Sequence, residues 1–247
     1  MIQYLFPLLL GAGAASAAPF CSSDDPTLLW RSCDGNARLE VKLLPEDVGP
    51  TPAKDLDVTG AYTATDQRED GSPKPVGLFI RRGEIVSREY VRFDGVLTVS
   101  PTGQPRIHYR RKVKPFDSAV FDLEDSSQRS SLLERISAAR FDILQSHLLI
   151  IDGKVDTAAV AGAPAFRRRI LFQLGDQKFG LFDSSPRRLT LHEAAIEVAE
   201  KFQPTMALNL DMGSYDFCRK GTTECGALSA EATDKLSNII RFHNSGD

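Results

Sequence analysis

The sequence has no P-loop, no G-x-S-x-G elbow and no H-E-x-x-H pair. Walker-type nucleotide hydrolysis, the lipase mechanism and zinc proteolysis therefore have no support. There is no EF-hand loop, and His108, His192 and His243 are scattered without metal-ligand spacing. No cofactor is implied, although aspartates are plentiful enough to leave a divalent cation open. No long basic run occurs, and the net charge is −3. Nucleic acid is thereby disfavoured as the main partner, since Arg81-Arg82, Arg110-Arg111-Lys112 and Arg167-Arg168-Arg169 are only local clusters. Beyond the amino terminus no apolar run approaches ~20 residues, which predicts no membrane span in the mature chain. No internal repeat is present.

At 247 residues, with 42% hydrophobic and 26% charged residues, the chain suits an ordinary globular protein. The expectation is a signal peptide over residues 1–17 and one domain over 19–247. Residues Tyr4 to Ala15 are apolar, and Ala15-Ser16-Ala17 supplies an A-x-A cleavage pattern, so the chain reads as exported, either periplasmic or secreted. Export gives the cysteines their meaning. Only four occur, as Cys21 with Cys33 and Cys218 with Cys225, and neither pair has C-x-x-C spacing. Two short disulfide loops are the simplest reading, with three connectivities compatible with the sequence.

Residues Arg187 to Ser214 organise the rest. Thr190 and Glu193 form a T-x-x-E capping box. Leu191, Ala194, Ala195, Val198 and Phe202 then recur at helical spacing until Pro204 stops the helix. Met206 to Leu210 reads as a short buried strand, and Asp211-Met212-Gly213-Ser214 as the turn leaving it. Polar groups are thereby set at a strand's C-terminal end, although N-L-D-x-G-S also makes a good strand-ending turn.

Elsewhere the pattern predicts hairpins. Residues 19–37 read as an irregular stapled lead-in anchored by Trp30, Leu39 to Leu44 as a strand, and Leu56 to Tyr62 as a strand ending in a glycine turn. Thr63 to Pro75 reads as a mobile polar loop. Val76–Arg81 with Glu84–Ser87 and Gly95–Ser100 with Pro105–Val113 read as hairpins. In the second, Arg110 to Lys112 would form a solvated strand edge. Ser131-x-x-Glu134 is read as the capping box of a helix running to about Arg140. Phe141–Ile151 then pairs with Lys154–Val155, Arg169–Leu174 with Lys178–Phe182, and Asn238–His243 is a last strand. The fold class is α+β, with mixed, largely antiparallel sheets built from hairpins and two or three packed helices.

The order of these motifs resembles the phosphodiester glycosidase family. The matching elements are Thr59-Gly60-Ala61-Tyr62, Pro75-Val76-Gly77-Leu78 with Arg82-Gly83, and Gln145-Ser146-His147-Leu148 with Asp152-Gly153. Arg168 and Ala207-Leu208-Asn209-Leu210-Asp211-Met212-Gly213-Ser214 complete the succession, which covers roughly residues 56 to 243. The chain departs from the family pattern at Thr59 (an asparagine position), at His147-Leu148 (Gly-Pro) and at Met212 (glycine).

The resemblance implies an exported carbohydrate-active hydrolase that cleaves a sugar-1-phosphate diester, with a carbohydrate or glycan phosphodiester as its partner. Arg168 would hold the anionic phosphate, since a guanidinium fits phosphate oxygens in bidentate fashion. Asp211 would be the carboxylate beside the anomeric carbon. His147 would serve as an acid or base. Asn209, Gln145, Ser146, Ser214, Gly213, Thr59 and Tyr62 would bind the substrate. No residue is assigned to a metal, and the sequence is silent on oligomeric state. The alternative is a catalytically degenerate relative that binds envelope glycan or an exported protein, as Thr59, His147 and Met212 suggest.

Overall fold

The computed structural model describes residues 20–22, 24–47, 49–175, 178–212 and 215–244. The signal-peptide reading and the site assignments of Gly213 and Ser214 lie outside them. The described strands pair into three larger sheets and two small hairpins, and every ladder is antiparallel. The only parallel contact among the described residues is the isolated bridge Phe217–Leu228.

A six-stranded sheet runs in the order Leu28–Ser32, Lys178–Asp183, Arg169–Leu174, Met206–Asn209, Leu148–Ile151, Lys154–Val155. A five-stranded sheet orders Glu84–Ser87, Phe79–Arg81, Asp142–Ser146, Gly95–Val99 and Pro105–Tyr109. The other five-stranded sheet orders Thr223–Glu224, Cys218–Lys220, Leu56–Thr59, Asn238–His243 and Arg38–Leu43.

All three contribute to one apolar cluster. Leu171, Leu181 and Leu208 come from the first sheet, Phe79, Leu97 and Leu144 from the second, and Val41, Val58 and Phe242 from the third. Two helices seal the outer faces. Helix α1 (Ser126–Ala138) lays Leu132, Leu133 and Ile136 on Leu78, Ile80 and Ile143, and helix α2 (Leu191–Phe202) lays Ala194, Ala195 and Val198 on Ile150, Ile170 and Phe172. The class is α+β in the broad sense, mostly sheet with few helices. No described helix is long and apolar enough to cross a membrane.

Helix α2 starts as its sequence predicts. Glu193 N donates to Thr190 Oγ1 at 3.1 Å and Thr190 N to the Glu193 carboxylate at 2.8 Å, while Gln203, in the left-handed conformation, closes the far end before Pro204. Helix α1 begins earlier than Ser131. Asp125 caps it by accepting from Ser127 N at 2.8 Å and Gln128 N at 3.0 Å, which leaves Ser131 inside the helix. A carboxylate outcompetes a hydroxyl at an N-cap because it also complements the helix dipole.

Four further expectations change. The lead-in contains a strand, Leu28–Ser32, with Trp30 buried against Phe242. Thr63–Gln67 and Pro73–Pro75 form a hairpin where a mobile loop was expected, because Asp70 accepts from Ser72 N and closes its tip. Arg110 to Lys112 lie in the turn between Pro105–Tyr109 and Val113–Phe116, where Arg110 and Arg111 both pair with Glu124. Finally, Phe141–Ile151 is two strands. Asp142–Ser146 belongs to one sheet and Leu148–Ile151 to another, with His147 at the crossing. The sheets meet closely there: a Cβ on Gly95 would stand 2.3 Å from Leu208 Cδ1. Cys21 pairs with Cys33 and Cys218 with Cys225, as two short loops.

Candidate functional site

The strand Met206–Asn209 lies between Arg169–Leu174 and Leu148–Ile151, and its exit is fixed one residue at a time. Asn209 N donates to His147 O, Leu210 N to Arg169 O, and Asp211 N to Gly60 O, each at 2.9 Å. The last bond carries the chain out of its own sheet to the corner after Leu56–Thr59. That corner needs glycine, because a Cβ on Gly60 would come 2.4 Å from Asn238 Oδ1. Asn238 in turn receives Ala61 N at 2.7 Å and donates to Ala61 O at 3.1 Å, which aims Tyr62 at Asn209.

A cleft of about 320 Å³ opens over this junction, and Tyr62, Arg168, Asn209 and Asp211 all line it. The Asp211 carboxylate is buried and accepts from Met212 N at 2.8 Å and Thr63 N at 3.2 Å. Burial outweighs those two bonds and lifts its pKa to about 7. Asn209 donates to the Tyr62 hydroxyl at 2.6 Å and to Leu210 O at 2.9 Å, and its Oδ1 is buried with no partner. Burial, with Asp211 adding to it, pushes the Tyr62 phenol up to about 12, so it stays protonated.

The three consecutive arginines have different roles. Arg169 is fully buried and holds Asp183 at 2.7 Å, Asp216 at 3.1 Å and the Phe217 carbonyl at 3.0 Å. Arg167 reaches Asp216 at 3.4 Å from a more exposed position. Arg168 is buried but joins none of the ion pairs among the described residues. Its Nε donates to Leu189 O at 2.9 Å and its Nη2 to Pro164 O at 3.1 Å, with the guanidinium 5.3 Å from the Phe166 ring. Desolvation lowers its pKa, partly offset by Tyr62, and it remains a cation. Carbonyl oxygens thus orient this charge without neutralising it.

The other sequence-derived candidates lie behind the cleft wall. Gln145 uses both ends of its amide on backbone, accepting from Leu78 N and donating to Val91 O and Phe93 O. Ser146 donates to Asn209 O, and Thr59 donates to Tyr215 O while accepting from Phe217 N. These three side chains hold the floor together. The His147 ring lies 4.3 Å from that of Phe93 and 5.9 Å from that of Tyr62, outside the lining. Burial lowers its pKa, with Asp94 opposing that shift and Arg168 adding to it. Met212 lines the cleft, as do Phe166 and Tyr215, which carried no periodic signal in the sequence.

Among the described residues no cluster of three His, Cys, Asp or Glu could hold a metal ion. A larger cleft of about 650 Å³ lies elsewhere, at Glu40, Arg82 and Asp142. Burial lifts Asp142 to a pKa of about 6, but its carboxylate accepts from Arg82 N, and the Arg82 guanidinium pairs with Glu40 at 2.6 Å. Arg38 and Arg140 line it as well and join none of the ion pairs among the described residues, but none of the described candidate site residues read from the sequence lies there.

No protein-family model matches the chain, and no curated protein sequence matches it. Solved structures do. Three antiparallel sheets around a shared core make a fold that the chain shares with them. The zebrafish N-acetylglucosamine-1-phosphodiester alpha-N-acetylglucosaminidase catalytic domain, auto-inhibited by its pro-peptide, aligns with a TM-score of 0.52 and 12% identity, covering 84% of this chain and 73% of that one. A protein of Burkholderia pseudomallei assigned as exported aligns with a TM-score of 0.54 and 12% identity, covering 84% and 71%. The relationship is remote, and at such identity the likeness establishes the fold alone.

Proposed function

We propose that the protein is an exported hydrolase of phosphodiester-linked sugars. One observation carries the reading: an unneutralised Arg168, the Asp211 carboxyl and the unpartnered Asn209 oxygen converge on one cleft. Arg168 binds the phosphodiester anion, and Asn209 Oδ1 and the Tyr62 hydroxyl bind sugar hydroxyls.

Water attacks the anomeric carbon as the bond from that carbon to the phosphate oxygen breaks, giving free sugar and a phosphate monoester. Asp211 takes the proton from the water and, as a carboxylate, stabilises the oxocarbenium-like transition state. Many glycosidases use two carboxylates, whereas Asp211 is the only one among the described cleft residues. A phosphate monoester, with a second pKa near ~6, leaves without a general acid once Arg168 offsets its growing charge. The disulfides and the exported structural neighbour support a periplasmic or secreted location.

A second reading, a binder that has lost turnover, is favoured by Met212 in the cleft wall where the resembling family carries glycine. Turnover of a panel of sugar-1-phosphodiesters separates the two. Release of free sugar that both Asp211→Asn and Arg168→Ala abolish supports the enzyme. Binding of glycan with no release from any substrate supports the binder.

A further inference from the structure

Arg168 lines a second cavity. A space of about 280 Å³ that Asp211 does not line has an apolar wall formed by Ala158, Val160, Ala163, Pro164 and Leu191, with Thr157, Thr190 and His192 as its other neutral lining. The wall is open to solvent, and Val160 is 64% exposed, which is unusual for a large aliphatic side chain. The cavity's one unpartnered buried polar atom is Thr157 Oγ1. The carbonyl of Pro164, within this wall, fixes one nitrogen of Arg168. Arg168 therefore borders both spaces, one that also holds Asp211 and Asn209 and one walled mainly by aliphatic side chains.

A phosphodiester has two arms. Building on the reading above, we infer that the second cavity receives the non-sugar arm and that this arm is apolar, an alkyl or isoprenoid-type alcohol. With the phosphate on Arg168 and the sugar over Asp211 and Asn209, the other ester oxygen points across the guanidinium into the Val160 side. A strongly polar alcohol would exchange hydration for a lining that is mostly apolar, with Thr157, Thr190 and His192 as its neutral polar members. A methylene buried against this wall strengthens binding about four-fold.

The test is calorimetric binding of methyl phosphate and hexyl phosphate to the disulfide-bonded protein. Hexyl phosphate is expected to bind at least ten-fold tighter. The Ala158→Gln, Val160→Asn double variant changes exposed positions only, and it should erase that advantage while leaving methyl phosphate within two-fold. Equal affinity for the two phosphates, or an advantage that survives the double variant, overturns the inference and leaves the reading of the polar cleft standing. Failure to bind either phosphate overturns both, because Arg168 is then no anion site.

Discussion

Asn209 donates to the Tyr62 hydroxyl at 2.6 Å and to its own neighbour's carbonyl, Leu210 O, at 2.9 Å. The Leu210 carbonyl can only accept, which settles which end of the amide is which, and Oδ1 is left buried and unpaired. Leaving such an oxygen dry costs about 1–3 kcal/mol, which a ligand hydroxyl recovers by donating to it. Asn209→Leu should therefore raise the Kd for a sugar ligand at least ten-fold while the melting temperature moves by only a few degrees. Unchanged sugar affinity would remove Asn209 from the site.

Adjacent arginines should separate in two assays. Arg169→Ala leaves Asp183 buried without its ion pair and Asp216 with Arg167 alone, a loss of roughly 3–5 kcal/mol in chemical unfolding. Arg168→Ala removes two bonds to carbonyls and should destabilise by only ~1–3 kcal/mol. Phosphodiester turnover should nevertheless fall at least a hundred-fold. Similar stability losses in the two variants would refute the distinction.

Asp211 predicts a pH profile of activity. If its carboxylate accepts the proton from water, kcat/KM rises about ten-fold per pH unit below about 7 and levels above it. A flat profile between pH 5 and 8 contradicts the role of Asp211 as base.

Asp211 also predicts a pH dependence of folding. Between 3.8 and about 7 the folded protein keeps a proton that the unfolded chain has lost. This group's stabilising contribution is complete below the unfolded value and is lost as pH rises through about 7, a swing on the order of 4 kcal/mol. The unfolding free energy of Asp211→Asn minus that of the unchanged protein should climb from pH 4 to pH 8. Asp142, raised to about 6, drops out of the difference. Urea titrations giving a constant difference would show that Asp211 ionises normally.

His108 shifts the opposite way. Burial, with Arg106 nearby, lowers its pKa to about 3, and its ring sits between Thr98 Oγ1 and Lys114 N. The unfolded chain binds a proton here below about 6.5, so stability is lost as pH falls from there toward 3. NMR of the His108 ring should show a neutral imidazole throughout pH 5 to 8. A midpoint near 6.5 would place the ring in water.

How much of this was legible depends on what a residue type can announce. Thr190 and Glu193 announce a helix start because both partners lie within four residues. Asp125 announces one equally, yet Ser131 and Glu134 match the same template, and nothing local ranks them. The order of motifs led to Asp211, Asn209, Tyr62 and Arg168, which do share a cleft. It could not show that Gln145, Ser146 and Thr59 spend their polar atoms on backbone. Which neighbour receives a buried hydrogen bond is decided by residues 52 to 158 positions away. Arg168 and Arg169 are identical in the sequence, and only tertiary placement gives one of them carboxylates.

The crossing at His147 sets where this protein can change. Asp142–Ser146 and Leu148–Ile151 are one length of chain serving two sheets, so a residue inserted there would invert every side chain beyond it. Leu149 and Ile150, which both pack under α2 across the irregularity between Leu148 and Ile150, would lose that placement. Insertions or deletions at the crossing are therefore close to forbidden. The segment 158–163 is less constrained, because it carries part of the wall beside Arg168 and joins no ladder, whereas Pro164 O holds Arg168 and Phe166 bridges Leu189. New preferences can arise in that segment by lengthening or shortening a loop, while Arg168 and Asp211 stay next to the strand ends at Arg169 and Asn209.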